Sequence, residues 1–117
     1  MIIRVFRAKV VPGAEAEFTR KLREVSACLL DAQEGVLGYF AGSPTETTPD
    51  EFVMISLWRD VEAVRAFAGD DWGQAVMPDD DYVPILREFF THHYQAITHR
   101  MVSTWPQARD NSEAGDR

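Results

Sequence analysis

Two adjacent histidines near the end of the sequence, His92 and His93, are the side chains best suited to proton transfer near neutral pH. They lie in the apolar run EFFTHHYQAI, which predicts a β-strand over residues 88–97. Neighbouring strand residues point to opposite faces, so the pair cannot hold one metal ion together. We expect His93 to face the interior of the fold and to act as a general base. The alternative is a histidine that only hydrogen-bonds a neighbour.

Two arginines in the first predicted strand, Arg4 and Arg7, are the second candidates for chemistry. Their spacing places them on opposite faces of a strand. An unpaired buried guanidinium is very unfavourable, so whichever arginine is buried needs an acceptor. A ligand phenolate or carboxylate is one candidate, and an acid of the same chain such as Glu88 is the other. Either Arg4 or Arg7 is therefore predicted to be the positive charge of the site, and the sequence leaves open which.

Other kinds of site have no motif to support them. The third histidine, His99, is isolated, and no CxxC, HxH or HxxxH pair is present, so we predict no metal site. The sequence also lacks a nucleophile elbow, a phosphate-binding glycine loop and a dinucleotide fingerprint. We therefore predict that the protein uses no cofactor.

The composition narrows the class of partner. A formal net charge of -7 over 117 residues disfavours binding to nucleic acid and to anionic membranes, because both attract cationic proteins. No apolar stretch is long enough to cross a bilayer, and the start of the chain, with its alternating basic residues, does not resemble a secretory signal. Cys28 is the only cysteine, which suits a reducing cytoplasm and a small hydrophobic core residue. The predicted location is cytoplasmic.

Hydrophobic periodicity predicts the element order strand, helix, strand, strand, helix, strand. The strands are expected over residues 2–11, 35–43, 52–58 and 88–97, and the helices over 14–32 and 60–69. A short helix is expected within residues 70–81. This order is the split βαβ pattern of the ferredoxin-like α+β fold, a four-stranded antiparallel sheet with both helices on one face. Residues 98–117 lose periodicity and are expected to form a tail or an arm over a partner.

The third predicted strand is apolar on both faces, and two helices can cover only one. We expect the face that carries Phe52, Met54 and Trp58 to lack a helix and to meet a second copy of the chain, so that a homodimer encloses a hydrophobic cavity. The residues predicted to contact a ligand are Phe6, Tyr39, Phe52, Met54, Trp58 and Trp72. Their mostly aromatic side chains suit a small, flat ligand.

Three stretches carry a family resemblance: MIIRVFRAKV at the start, ISLW followed by the helix VEAVRAFAGDDW, and the HHYQAI strand. Together they resemble the antibiotic biosynthesis monooxygenase domain of the dimeric α/β-barrel superfamily. The resemblance covers residues 1–97 and implies a homodimeric α/β barrel. It also implies cofactor-independent oxygenation of a small electron-rich aromatic, such as a polyketide or a phenol. The alternative is a ligand-binding or stress-related domain of the same fold that binds without catalysis.

The resemblance gives little support to haem degradation. Enzymes of the haem-degrading branch use an asparagine on the first strand, a tryptophan at the end of the third and a histidine on the following helix. The corresponding positions here are Phe6 or Arg7, Trp58 and the neighbourhood of Val76, so only the tryptophan matches. Without the histidine that ligates iron, haem breakdown is not expected. The asparagine that the polyketide oxygenases carry before this tryptophan corresponds to Met54.

Overall fold

Residues 1–77 and 81–100 are described by this computed structural model. The strands are β1 (Ile2–Val10), β2 (Val36–Gly42), β3 (Glu51–Trp58) and β4 (Leu86–Gln95). The first helix consists of α1 (Glu15–Lys21), a π-helical turn (Leu22–Ser26) and α2 (Ala27–Asp31), α3 (Val61–Ala68) follows β3, and a 3-10 turn (Val83–Ile85) precedes β4. The predicted ferredoxin-like α+β fold is confirmed, with a four-stranded antiparallel sheet.

The sheet places three polar side chains in one row across its centre. The strand order is β2-β3-β1-β4, so β1 lies between β3 and β4. Arg4 on β1 is directly opposite Ser56 on β3 and His93 on β4. Directly opposed residues of antiparallel strands point to the same face of a sheet. The register of the two central strand pairs therefore brings these three side chains together.

Both helices cover the face that carries Phe52, Met54 and Trp58, each at most 7% exposed. Phe52 packs edge to face on Phe18 of α1 with ring centroids 5.0 Å apart, and Trp58 stacks on Phe67 of α3 at the same distance. The prediction that this face lacks a helix is wrong. Only Arg59 and Asp60 separate β3 from α3, and α3 packs over the side to which Trp58 points.

The opposite face of the sheet is open, and every strand contributes apolar side chains to it beside polar ones such as Arg7 and His92. The apolar side chains on it are Ile3, Val5, Phe40, Val53, Ile55, Leu57, Phe90 and Tyr94. Phe40, Phe90 and Tyr94 are 40%, 38% and 51% exposed. Gly38 lies on the same face, and a side chain there would meet no atom within 4 Å. Within residues 1–77 and 81–100, no element covers this face.

The boundaries of α3 follow from its capping residues. The Asp60 side chain accepts a hydrogen bond from the Ala63 N–H at 2.9 Å, which satisfies one of the free donors of the first turn. Gly69 ends the helix with a φ of 85°, a conformation that residues with side chains disfavour. The helix lies so close to the start of β2 that a Cβ atom on Gly35 would overlap the Cβ of Ala63. The start of β2 is thus packed directly on α3.

The π-helical turn in the first helix changes which side chains reach the core. Phe18 before the turn and Leu22 at its first position are buried as the predicted stripe requires, but after the turn Leu30 is more buried than Leu29. A π turn adds one residue to the helical repeat and so shifts later side chains around the axis. Cys28, predicted to be a core residue, is exposed for this reason.

The stretch after α3 does not form the short helix that its apolar spacing predicts. Residues 70–77 form turns and irregular chain. The carbonyl oxygens of Trp72 and Gln74 accept hydrogen bonds from the Arg4 side chain, where a helix would use later backbone N–H groups. Residues 78–80 of the predicted loop and residues 101–117 of the predicted tail lie outside the described residues.

Candidate functional site

A small cavity lies between the sheet and the elements that cover it, with a volume of about 60 Å³. The sheet contributes Arg4, Phe6, Met54 and Ser56 to its wall, and the facing elements contribute Leu22, Ser26, Leu29, Leu30, Phe67, Val76 and Tyr82. Most of these side chains are apolar. The few polar groups therefore decide which ligand the cavity can hold.

Arg4 is the charged group of this cavity and is only 5% exposed. Its guanidinium donates hydrogen bonds to the carbonyl oxygens of Trp72 at 2.7 Å and Gln74 at 2.9 Å, and its Nη1 lies 2.9 Å from His93 Nε2. No carboxylate pairs with Arg4 among the residues that the structure describes. Burial lowers the pKa of Arg4 to about 10, so the side chain stays charged at neutral pH. The cavity wall thus holds a positive charge without a described counter-ion.

Arg7 lies on the open face of the sheet, away from the cavity. Its side chain is 38% exposed and lies 3.7 Å from a carboxylate oxygen of Glu51. Its guanidinium also lies 5.9 Å from the centre of the Phe90 ring. Of the two arginines that the sequence leaves open, Arg4 is the one on the cavity wall.

His93 stands beside Arg4 on the helix-covered side of the sheet. A guanidinium can only donate, so the 2.9 Å contact makes His93 Nε2 the acceptor and leaves the proton on Nδ1. The Trp72 ring and the imidazole pack edge to face, with ring centroids 4.6 Å apart. Burial, then the charge of Arg4 and then His92 lower the pKa of His93 to about 4. His93 is therefore neutral at neutral pH, and Arg4 occupies the lone pair that a general base would use.

Ser56 is a polar group of the wall that the sequence did not single out as a candidate. It is 3% exposed and accepts a hydrogen bond from the indole N–H of Trp58 at 2.9 Å. Ser56 is among the residues on the cavity wall, whereas Trp58, fully buried, stands behind it against Phe67. The signal in the sequence is that Ser56 is the one polar residue in the apolar run from Phe52 to Leu57.

The other residues predicted to contact a ligand lie in three places. Phe6 and Met54 are on the cavity wall. Tyr39 and Phe52, again with Met54, line a second groove of about 290 Å³ between the first helix and β2. Trp72 packs on His93. The predicted set therefore does not form one continuous wall.

Two hydroxyl groups face the sheet from the other side of the cavity, and the sequence predictions missed both. Tyr82 is 2% exposed and donates to the Lys21 carbonyl oxygen at 3.1 Å, while its oxygen lies 2.8 Å from Ser26 Oγ. A phenol has one hydrogen, so Ser26 is the donor in the second contact. Ser26 belongs to the π-helical turn, which has no reliable signal in a single sequence.

The described residues do not fit a haem iron at the position that the family resemblance implies. That position is near Val76, whose aliphatic side chain lies on the cavity wall and cannot ligate iron. Residues 1–77 and 81–100 also contain no group of three potential His, Cys, Asp or Glu metal ligands.

Within residues 1–77 and 81–100, no helix has the length and apolar character needed to span a membrane.

Comparisons with known proteins agree with this fold. The sequence profile of the family described as antibiotic biosynthesis monooxygenase matches residues 1–77. A comparison with curated protein sequences found no significant match.

Among solved structures, the cofactor-independent oxygenase SnoaB from Streptomyces nogalater (mutant N63A) is 18% identical, with a TM-score of 0.62 over 84% of this chain and 94% of that chain. The haem degrader MhuD from Mycobacterium tuberculosis, with two haems bound, is 14% identical, with a TM-score of 0.65 over 86% and 100%. A protein of unknown function from Nitrosomonas europaea is 17% identical, with a TM-score of 0.69 over 87% and 94%. At these identities the likeness shows a shared fold, and the profile match covers most of the chain. The chain therefore belongs to the antibiotic biosynthesis monooxygenase family.

Proposed function

We propose that this protein is a cofactor-independent monooxygenase of a small electron-rich aromatic compound whose anion it stabilises. Membership of the family supports a monooxygenase-type role. The observation that carries the proposal is the buried guanidinium of Arg4, which has carbonyl oxygens and a neutral imidazole as its described partners.

The partners of Arg4 explain why an anionic ligand is favoured. Burying a guanidinium is unfavourable unless a charge or several good acceptors compensate for the lost water. Two carbonyl oxygens accept hydrogen bonds from it but do not neutralise its charge. A phenolate or enolate oxygen would supply both a hydrogen-bond acceptor and the missing negative charge.

The size of the cavity implies that ligand entry moves part of its wall. A volume of about 60 Å³ is well below the roughly 150 Å³ at which an apolar cavity accommodates a benzene ring. Residues 70–77 have no helix or strand, and two of their carbonyls bind Arg4. An anion that takes the Arg4 N–H groups would release this segment and so make room for a ring.

The proposed reaction balances without a cofactor. An anthrone-type substrate loses a proton, and its anion transfers one electron to dioxygen. The two radicals combine to form a carbon–oxygen bond, and the resulting peroxide loses water to give a ketone. One oxygen atom enters the product, the other leaves as water, and the substrate supplies all four electrons.

The chain's contribution is to stabilise the anion and to accept the proton. Arg4 supplies a positive charge in a site that largely excludes water, where it lowers the energy of the developing anion. Once Arg4 has turned to the ligand, His93 Nε2 is free to accept the proton. A histidine with a pKa of about 4 is a weak base, so the nearby positive charge has to make the substrate more acidic.

The second candidate function is binding without catalysis. It is favoured by the contact between Arg4 and His93 Nε2, which occupies the base. The two functions differ in dioxygen consumption, because only the enzyme consumes dioxygen in step with the loss of the bound aromatic.

We also propose that the chain acts as a cytoplasmic homodimer joined through the open face of the sheet. Phe40, Ile55, Phe90 and Tyr94 are among the apolar side chains there, and a face of this kind is unfavourable in water. Gly38 leaves space on the same face for another chain to approach.

The test of the enzymatic proposal is dioxygen uptake with an anthrone-type phenol, with an anaerobic control. We expect the wild-type protein to produce the quinone, and His93→Ala to be slower by a factor of about 10² or more, the range of positioned proton transfer. The matched control is His92→Ala, which changes the adjacent histidine on the open face. Equal rates for the two variants would contradict the role of His93 as the base. If neither wild type nor the variants consume dioxygen but all bind the phenol, the binding function is favoured.

A further inference from the structure

We infer that Ser56 donates a hydrogen bond to the same ligand oxygen that Arg4 binds, and that the indole of Trp58 positions the Ser56 hydroxyl for this contact. The inference rests on the anion-binding cavity of the proposed function and identifies a ligand-contacting residue and a positioning residue within it.

The register places Ser56 and Arg4 side by side. The two residues are directly opposite each other on β1 and β3, point to the same face and both lie on the cavity wall. Opposed side chains on adjacent antiparallel strands have Cβ atoms about 4.5–5.5 Å apart. One oxygen atom in the cavity can therefore contact both a guanidinium N–H and the serine hydroxyl.

The hydrogen-bonding capacity of Ser56 is only half used. The indole N–H of Trp58 can only donate, so in the 2.9 Å contact Ser56 Oγ is the acceptor. The hydroxyl hydrogen of Ser56 has no acceptor among the described residues. A buried donor normally has a partner, and the cavity is the open side from which an acceptor can reach it.

Trp58 holds this arrangement in place. It is fully buried and stacks on Phe67 with ring centroids 5.0 Å apart, so its indole N–H cannot leave Ser56 without disturbing the core. By occupying one lone pair of Ser56 Oγ, it directs the hydroxyl hydrogen away from the indole. The result is a fixed donor beside the positive charge of Arg4, which favours an oxyanion over a neutral hydroxyl.

The probe for this inference is 4-nitrophenol, whose absorbance separates the neutral phenol from the phenolate. Its pKa when bound is measured by pH titration in wild type, Ser56→Ala, Trp58→Phe and the double variant. A hydrogen bond to a charged group changes an equilibrium by about tenfold, so we expect Ser56→Ala to raise the pKa of the bound phenol by about one pH unit. The double variant should show the same shift, and Trp58→Phe a smaller one.

The variants include controls for folding and for general disturbance. Ser56→Ala leaves the buried Trp58 N–H without an acceptor, and the double variant removes this unpaired donor as well. If the single variant does not fold, the double variant gives the measurement. Thr91→Val removes a buried hydroxyl elsewhere on the same face and should leave the pKa of the bound phenol unchanged.

The outcomes separate this inference from the proposed function. If Arg4→Gln raises the pKa of the bound phenol and the Ser56 variants do not, the inference is overturned and the anion site stands. If the Ser56 variants raise it and Arg4→Gln does not, Ser56 is the donor and the role of Arg4 is lost. If wild type does not bind nitrophenolate, both are overturned.

Discussion

The two faces of the sheet carry similar residues in different environments. On the helix-covered face, Arg4 is buried in an apolar wall and its described partners carry no charge. On the open face, Arg7 is partly exposed and lies near Glu51. Water and the carboxylate moderate the charge of Arg7, while the low dielectric around Arg4 strengthens its field. An arginine can therefore form part of a ligand site on the covered face but not on the open face, although the residue type is the same.

The apolar residues of the two faces show the same contrast. Phe52 and Trp58 are covered by Phe18 and Phe67 of the helices, so they contribute to the core of one chain. Phe90 and Tyr94 on the other face are exposed. One face therefore stabilises the fold and holds the cavity, and the other is available for a second chain.

The largest effect on the oxygenation rate should appear when each of the two arginines is replaced by glutamine in turn. Arg4→Gln removes the charge that stabilises the anion, so we expect the oxygenation rate of an anthrone to fall by a factor of about 10² to 10³. Arg7→Gln, three residues away on the open face, should keep the rate within about twofold of wild type if the anion site depends on Arg4 alone. Steady-state dioxygen uptake measures both, with sedimentation to check that each variant has the wild-type mass. A similar loss of rate in both variants would contradict the claim that only the covered face forms the anion site.

The next largest effect concerns association. Ile55→Lys puts a charge at the centre of the open face, where it would be buried against a partner without a counter-ion. We expect the dimer to dissociate at micromolar concentration, a change of at least about a hundredfold in the dissociation constant. Sedimentation velocity measures it.

The control for this variant is Val83→Lys, which changes an apolar residue that is 52% exposed outside the sheet. It should remain dimeric. A wild-type protein that is monomeric at micromolar concentration would contradict the dimer directly.

A smaller effect should appear in the pH dependence of stability. His93 has a pKa of about 4 in the folded chain and 6.5 as its ordinary value, so the unfolded chain binds more protons between these values. The neutral His93 imidazole therefore contributes its full share of the free energy of unfolding above pH 6.5, and this contribution is lost as the pH falls towards 4. His93 is partly exposed, which screens the effect, so we expect a loss of only about 1 kcal/mol relative to His93→Gln.

Urea unfolding of wild type and His93→Gln at about pH 7 and pH 4.5 measures this difference. His92→Gln, on the open face, is the matched control and should behave as wild type. A wild-type protein that loses no more stability on acidification than His93→Gln would show that the imidazole is not held neutral.

The smallest effect should be a gain in stability. Thr91 Oγ1 is buried on the helix-covered face without a hydrogen-bond partner among the described residues. Thr91→Val keeps the shape and removes the unpaired hydroxyl, so we expect the free energy of unfolding to rise by about 0.5–1 kcal/mol. Thermal or urea unfolding measures the change. A destabilised variant would imply that the hydroxyl has a partner.

The sequence predicted the elements well because their signals are local. Alternation marked the strands, and Asp60 and Gly69 marked the ends of α3 through their capping chemistry. The ferredoxin-like order followed from those elements. The π-helical turn had no such signal, so the exposure of Cys28 was missed.

The site was predicted less well because it depends on non-local geometry. Alternation divides Arg4 from Arg7 but does not say which face the helices choose, and that choice put Trp58 in the core. Ser56 became a candidate only when the strand register placed it opposite Arg4. The contact of Arg4 with His93 joins residues at opposite ends of the chain.

The central claim is that the buried charge of Arg4 selects an anion, and the most direct test compares two ligands of similar shape. Titration calorimetry of wild type, Arg4→Gln and Arg7→Gln with 4-nitrophenolate and with neutral nitrobenzene measures this selection. We predict that wild type and Arg7→Gln bind the phenolate at least about tenfold more tightly than nitrobenzene, as expected for a hydrogen-bonded charge pair, and that Arg4→Gln loses the preference. An unchanged preference in Arg4→Gln, or none in wild type, would contradict the claim.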